Sequence, residues 1–207
     1  MKTSLLGLNI NEIEILIRNL DGNTSHAQII ATSIYKKNVE KLNDIENIPL
    51  SLIKNLENSF SLGKYSPKEV IKSKDGSKKY LFINELGQQF ESVFMPNGKR
   101  NTLCISTQSG WKMGCKFCLT GKIGFNGSLS ALDILNQLYS IDEYKKVNKI
   151  VVMGMGEPFD NYLEVKKAIT ILTSSWGTSF GASNITLSTV GLDRKSTRLN
   201  SSHITIS

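Results

Sequence analysis

The sequence predicts an α/β protein in which a small helical domain precedes an incomplete strand–helix unit. Three observations carry that expectation. Apolar residues recur at helical spacing up to about residue 62. Short strand signals separated by glycine-containing turns follow from about residue 68, and beyond residue 104 strand and helix signals alternate.

Taken in order, Asn11 followed by Glu14 reads as a capping box, and Ile13, Leu16, Ile17 and Leu20 then lie on one helical face that Asp21-Gly22 ends. A second helix carries Ile30 and Ile34. Pro49 opens a third, with Leu52, Ile53, Leu56 and Phe60 on one side. Asp75-Gly76 reads as a hairpin turn into Tyr80–Ile83, and Phe90–Met95 as a strand that Pro96-Asn97-Gly98 turns towards Thr102–Ser106. Ser130 with Asp133 introduces a helix bearing Leu132, Leu135 and Leu138. Ile150–Met153 follows as a buried strand, Val165, Ala168, Ile169 and Leu172 mark a helix, and Ile185–Ser188 is the next strand. Such alternation predicts a parallel sheet or (β/α) barrel with its site at the C-terminal strand ends. The expected organisation is a helical accessory domain over 1–62, a β-hairpin connector over 63–103 and an incomplete barrel over 104–192.

Residues 193–207 continue neither period. They also read, codon for codon, as a short-read library adapter, so they are expected to be a non-native tail. A partial barrel is expected to expose strand edges and the inner faces of its helices, and so to fold poorly.

Composition narrows the class. With 40% apolar residues the chain has material for a core, and no apolar run reaches the roughly 18–20 residues that cross a bilayer. Met1–Asn11 lacks the layout of a secretory signal, which makes cytoplasmic residence the expectation. The net charge of +7, of which the tail supplies +2, is compatible with an RNA partner and is common in other proteins too.

Three cysteines, Cys104, Cys115 and Cys118, are an odd number for a disulfide framework, and their clustering points to metal or redox chemistry. Cys115-Lys-Phe-Cys118 alone fits half a zinc site, a redox dithiol or part of an iron–sulfur ligand set equally well. The glycines of Gly154-Met-Gly-Glu157 suit close backbone approach to a ligand, and alone that segment is a strand-to-loop turn with a solvated glutamate. Taken singly, Glu91 is an exposed strand carboxylate, Cys104 a buried strand thiol and Ser188 a strand-end hydroxyl. Lys99 and Arg100 read as a charged turn able to touch phosphate.

Four ordered segments change the weighting. Cys104 to Gly127, Gly154-Met-Gly-Glu-Pro158, Thr186-Leu-Ser-Thr-Val-Gly191 and Phe90-Glu-Ser-Val-Phe-Met-Pro96 resemble the radical S-adenosylmethionine (SAM) dual-specificity 23S rRNA and tRNA adenine carbon-2 methyltransferases. The resemblance covers most of residues 1–192. It implies the first half of a radical SAM barrel, a [4Fe-4S] cluster and SAM as cofactors, 23S rRNA and tRNA as substrates, and an electron donor such as a flavodoxin. No membrane or DNA partner is expected. It also implies that Cys115 and Cys118 ligate the cluster, that Gly156, Glu157 and Ser188 contact SAM, that Glu91 accepts the carbon-2 proton, and that Cys104 resolves a covalent RNA adduct by disulfide formation. The methyl group would pass through a methyl-cysteine, and no cysteine follows Cys118.

The chain departs from the family pattern at Trp111, which stands where the first cluster cysteine is expected. An indole supplies no thiolate. A one-base read error, a degenerate paralogue and replacement by Cys104 each account for it. This literal chain is therefore expected to be inactive. The rival readings are a carbon-8 rRNA adenine methyltransferase conferring antibiotic resistance and an RNA-binding pseudoenzyme that has lost its cluster.

Overall fold

The structure, a computed structural model, describes residues 2–112, 124–190 and 205–206. The helical module comprises α1 (Ile10–Asn19), α2 (His26–Tyr35) and α3 (Leu50–Ser59). Two short strands, β1 (Thr3–Ser4) and β2 (Phe60–Ser61), pair in parallel and bring the two ends of the module together. Phe60, expected on the third helix, is instead the extended residue that starts β2.

The capping box of α1 lies two residues earlier than the Asn11/Glu14 pair. Asn9 accepts from the Glu12 amide at 3.0 Å, and Glu12 accepts from the Asn9 amide at 2.7 Å. The pattern Asn-x-x-Glu occurs twice in overlapping register. The first copy prevails because Ile10 then packs on the core and the second Glu12 oxygen takes the Lys167 ammonium at 2.6 Å.

Seven strands form the main sheet: β3 (Glu69–Lys72), β4 (Lys78–Ile83), β5 (Gln89–Asn97), β6 (Arg100–Cys104), β9 (Lys149–Val152), β10 (Ile185–Leu187) and β11 (Thr205–Ile206). Their order is β11-β10-β9-β6-β5-β4-β3. Strands β3 to β6 are antiparallel hairpins, and β6, β9, β10 and β11 are parallel. This is the mixed α/β architecture with a partial parallel unit that the alternation predicts. Two shorter strands, β7 (Gln108–Gly110) and β8 (Phe125–Ser128), form a separate antiparallel pair.

Alternation along the strands gives the sheet two unlike faces. Tyr80, Phe82, Phe90, Phe94, Leu103, Ile150, Val152, Ile185 and Leu187 point to one face and are buried. That face is packed by α4 (Ala131–Tyr139) and α5 (Tyr162–Thr173), whose Ile134, Leu135, Leu138, Val165, Ile169 and Leu172 are buried in the same core. Burial of each such side chain is worth about 1.5–3 kcal/mol against exposure, which is what holds the helices on the sheet. The helices' inner faces are therefore covered, contrary to expectation. Among the described residues the other face of the sheet, which carries Glu91, Val93, Met95, Cys104, Val151 and Met153, is only partly covered.

The core passes without a break across residue 62. Tyr35 of α2 lies 5.7 Å from the Tyr139 ring of α4, and Tyr65 and Asn136 exchange two hydrogen bonds. The tail expected to carry no strand supplies β11, in which Thr205 and Ile206 pair with Thr186 and Leu187. The remaining tail residues 193–204 and 207 lie outside the described residues.

Candidate functional site

Glu91 and Cys104 come together because β5 and β6 are antiparallel with Val93 opposite Cys104. Side chains two apart share a face, so Glu91, Val93 and Cys104 all stand on this partly covered side. Lys79 reaches diagonally across β4 and β5 to the Glu91 carboxylate at 2.9 Å. The Glu91 backbone is pinned as well, since the Ser106 hydroxyl donates to its carbonyl at 2.6 Å. Glu91 is half-exposed, as its reading as a strand carboxylate anticipated. Cys104 is a free thiol whose burial raises its pKa, partly countered by a hydrogen bond from the Met153 backbone. It rests as the protonated thiol.

The second group lies at the C-terminal ends of β9 and β10. Gly154 to Pro158 leave β9, and Ser188 follows β10 with its amide on the Val152 carbonyl at 3.3 Å. Glu157 is buried rather than solvated. Its carboxylate accepts from the Phe159 amide at 3.0 Å, the Thr189 hydroxyl at 2.7 Å and the Val190 amide at 3.0 Å. Glu157 thus joins the loops after two adjacent strands. Three of about four acceptor sites on an ionised carboxylate are used, leaving one on Oε2 for a further donor such as an ammonium.

The two glycines also pack closely against the chain itself. A Cβ on Gly156, where φ is +99°, would lie 2.5 Å from Gln108 Cβ, and one on Gly154 would lie 2.6 Å from Ser106 Oγ. Both positions are small so that the polar run Ser106-Thr107-Gln108-Ser109 can pack beneath the loop. That run was not singled out in the sequence, although four consecutive polar residues between Ile105 and Gly110 are all buried. Gln108 accepts from the Glu157 amide at 3.0 Å and donates to Asp160 at 2.7 Å. Asn161 donates to the carbonyls of Thr107 and Leu129. Burial of a polar stretch at a strand's C-terminal end was the available signal.

The stem of the cysteine loop is the β7–β8 pair. Trp111 donates its amide to Gly124 at 3.2 Å, and Lys112 pairs with Asp160 at 2.7 Å while lying 4.4 Å from the Phe125 ring centroid. Cys115 and Cys118 lie outside the described residues. Trp111 is half-buried, and its indole Nε1 is buried without a hydrogen-bond partner among the described residues. A cubic cluster needs three thiolates from the chain. Position 111 presents an indole, and Cys104 lies in β6, seven residues before it. Among the described residues no three His, Cys, Asp or Glu side chains gather as a metal site. The residues present do not fit a three-thiolate cluster.

No family model matches the sequence. Relatives do. A protein of Phocaeicola vulgatus named as a probable dual-specificity RNA methyltransferase RlmN is 44% identical over 209 residues, covering 100% of this chain and 60% of the relative. One of the same name from Bacteroides thetaiotaomicron is 42% identical over 191 residues, covering 92% and 55%. The crystal structure of a radical SAM methyltransferase from Sphaerobacter thermophilus matches with a TM-score of 0.83 at 31% identity, over 92% of this chain and 57% of that one.

The fold is therefore that of part of a radical SAM methyltransferase. More narrowly, the chain is RlmN-like, and it spans about 55–60% of the length of the curated relatives it matches. Among the described residues no helix is long and apolar enough to cross a membrane.

Proposed function

We propose that this chain is part of a radical SAM enzyme that methylates carbon-2 of adenine in 23S rRNA and tRNA through a methyl-cysteine intermediate, and that the chain with Trp111 does not turn over. The observation that carries the reading is that Glu91 and Cys104 share one sheet face, with Glu157 and Ser188 at the ends of the adjoining parallel strands. A base and a thiol on one face suit removal of the carbon-2 proton and release of the product from a protein thiol.

Within that reading, Glu91 accepts the proton, and the Lys79 ammonium orients its carboxylate. Cys104 gives up its proton and attacks the sulfur of a methyl-carrying cysteine outside this chain, so that a disulfide forms while the bond from that sulfur to the base's new carbon breaks, its electron pair leaving on that carbon, which takes up a proton. Gly156 and Glu157 would hold the amino end of SAM, with Ser188 as a further contact. A flavodoxin-like donor and cytoplasmic residence complete the picture.

Trp111 favours a second reading, an RNA-binding pseudoenzyme. One experiment separates the two. The complete protein carrying Trp111→Cys is expressed in a bacterium lacking its own adenine carbon-2 methyltransferase, and nucleosides from rRNA and tRNA are resolved by mass spectrometry. Methylation at carbon-2 is expected, and Glu91→Gln is expected to abolish it. Methylation at carbon-8 would refute the regiochemistry, and no methylation would leave the pseudoenzyme.

A further inference from the structure

The turn Lys99-Arg100, read from sequence as a charged turn, is not isolated. The Asn148 side chain donates to the Lys99 carbonyl at 2.7 Å and accepts the Asn101 amide at 2.9 Å. Asn101 in turn donates to the Lys146 carbonyl at 3.1 Å. These bonds hold the β5–β6 turn against the segment that enters β9, so Lys99 and Arg100 adjoin Lys145, Lys146 and Lys149. The tip of the β3–β4 hairpin lies against the same turn, since a Cβ on Gly76 would come within 3.2 Å of Pro96. That tip adds Lys74.

Positive charge is in excess on this edge. Lys74, Lys99, Arg100, Lys145 and Lys146 are exposed, and none of them, nor Lys149, has an ion pair among the described residues. Glu143 is buried and committed to Lys78 and Tyr80, and the exposed carboxylates Asp75 and Asp142 on this edge are outnumbered by its six lysines and arginines. By contrast, residues 1–62 carry six lysines and arginines against seven carboxylates, so the helical module presents no such excess.

We infer that this edge, centred on Lys99, Arg100, Lys145 and Lys146, is a docking surface for the phosphate backbone of folded RNA. The inference rests on the RNA reading given above and deepens it. Lys149 starts β9 and Gly154 follows its end, a separation of about 15 Å along an extended strand. A mononucleotide cannot touch both the basic edge and the Glu157 loop. A stem with its loop can, with the stem phosphates on the lysines and the loop at the site. Such contacts position the RNA without reading its bases.

The test uses the chain as it stands, which needs no cluster to bind. Fluorescence anisotropy measures affinity for a 20-nucleotide stem-loop and for a 4-nucleotide oligomer across a salt series. The variant replaces Lys99, Arg100, Lys145 and Lys146 with Gln, and a control replaces Lys37 and Lys54 of the helical module. Each phosphate contact contributes about 0.9 to the slope of log affinity against log salt. The expected result is a stem-loop slope shallower by about 3.6 and an affinity at low salt lower by about tenfold or more, with the oligomer and the control unchanged. Equal stem-loop binding by the variant and the unmodified chain would overturn the inference while leaving the methylation reading intact. Unchanged stem-loop binding with lost binding to phosphatidylserine vesicles would also overturn it, assigning the edge to a lipid surface.

Discussion

Thr189 donates its hydroxyl to the Glu157 carboxylate at 2.7 Å, which ties the loop after β10 to the loop after β9. The same carboxylate takes the Val190 amide at 3.0 Å. Replacing it by an amide, Glu157→Gln, places an NH2 group against at least one of these donors. The expected loss is about 1–3 kcal/mol in urea unfolding. Thr189→Val, which removes one donor, should cost about 1 kcal/mol, and Thr189→Ser should restore most of it.

Gly156→Ala combines a φ of +99° with a Cβ placed 2.5 Å from Gln108. Gly98 also has a positive φ, +57°, and no atom within 4 Å of an added Cβ. The two substitutions separate conformational strain from crowding. Gly98→Ala should cost about 1 kcal/mol and Gly156→Ala about 3 kcal/mol or more, as the denaturation midpoints will show.

Glu143 provides a pH test. Burial pushes its carboxyl up, but the Lys78 ammonium and the Tyr80 hydroxyl outweigh burial and hold it below the ordinary value of 4.5. A group depressed on folding contributes stability that is complete above its unfolded value and disappears as pH falls through the folded one. Lys78→Met leaves the buried carboxylate without its cation and should cost roughly 2–4 kcal/mol at pH 7. The gap between this variant and the unmodified chain should narrow as pH drops below about 4.5, measured by urea unfolding at each pH.

The Cys104 thiol should react slowly. Burial raises its pKa, and the thiolate is the nucleophile. Site-resolved mass spectrometry after iodoacetamide at pH 7.5 should find Cys104 alkylated more slowly in the folded chain than in urea. Raising the pH towards 10 should accelerate it. Equal rates in folded and unfolded chains at pH 7.5 would contradict the assignment.

Much of the fold was legible where the signal is local. Ser130 and Asp133 form the expected capping box, the Asp75-Gly76 hairpin pairs Lys72 with Lys78, and the three predicted parallel strands lie side by side. Period-two alternation also placed Glu91 and Cys104 on one face once the register was known. What escaped depends on contacts distant in sequence. Gln108 meets Glu157 across forty-nine positions, and the Asn9 cap is chosen over Asn11 by Lys167, 155 residues from Glu12. Glu157 appeared solvated because nothing local reveals that Thr189 and Val190 bury it. The partly covered sheet face was misassigned to the helices, because periodicity shows that a face is apolar and not which partner covers it.

Position 111 decides the account as a whole. Its backbone is already held at the stem of the cysteine loop by Gly124, and its indole nitrogen is buried without a partner among the described residues. The direct measurement is iron content after anaerobic reconstitution of the unmodified chain and of Trp111→Cys, followed by a chelator challenge. A third thiolate at this position should give about four irons per chain that survive the chelator, while the Trp111 chain loses its iron. Equal iron retention in the two chains, or none in Trp111→Cys, would contradict the assignment of this loop to a radical SAM cluster.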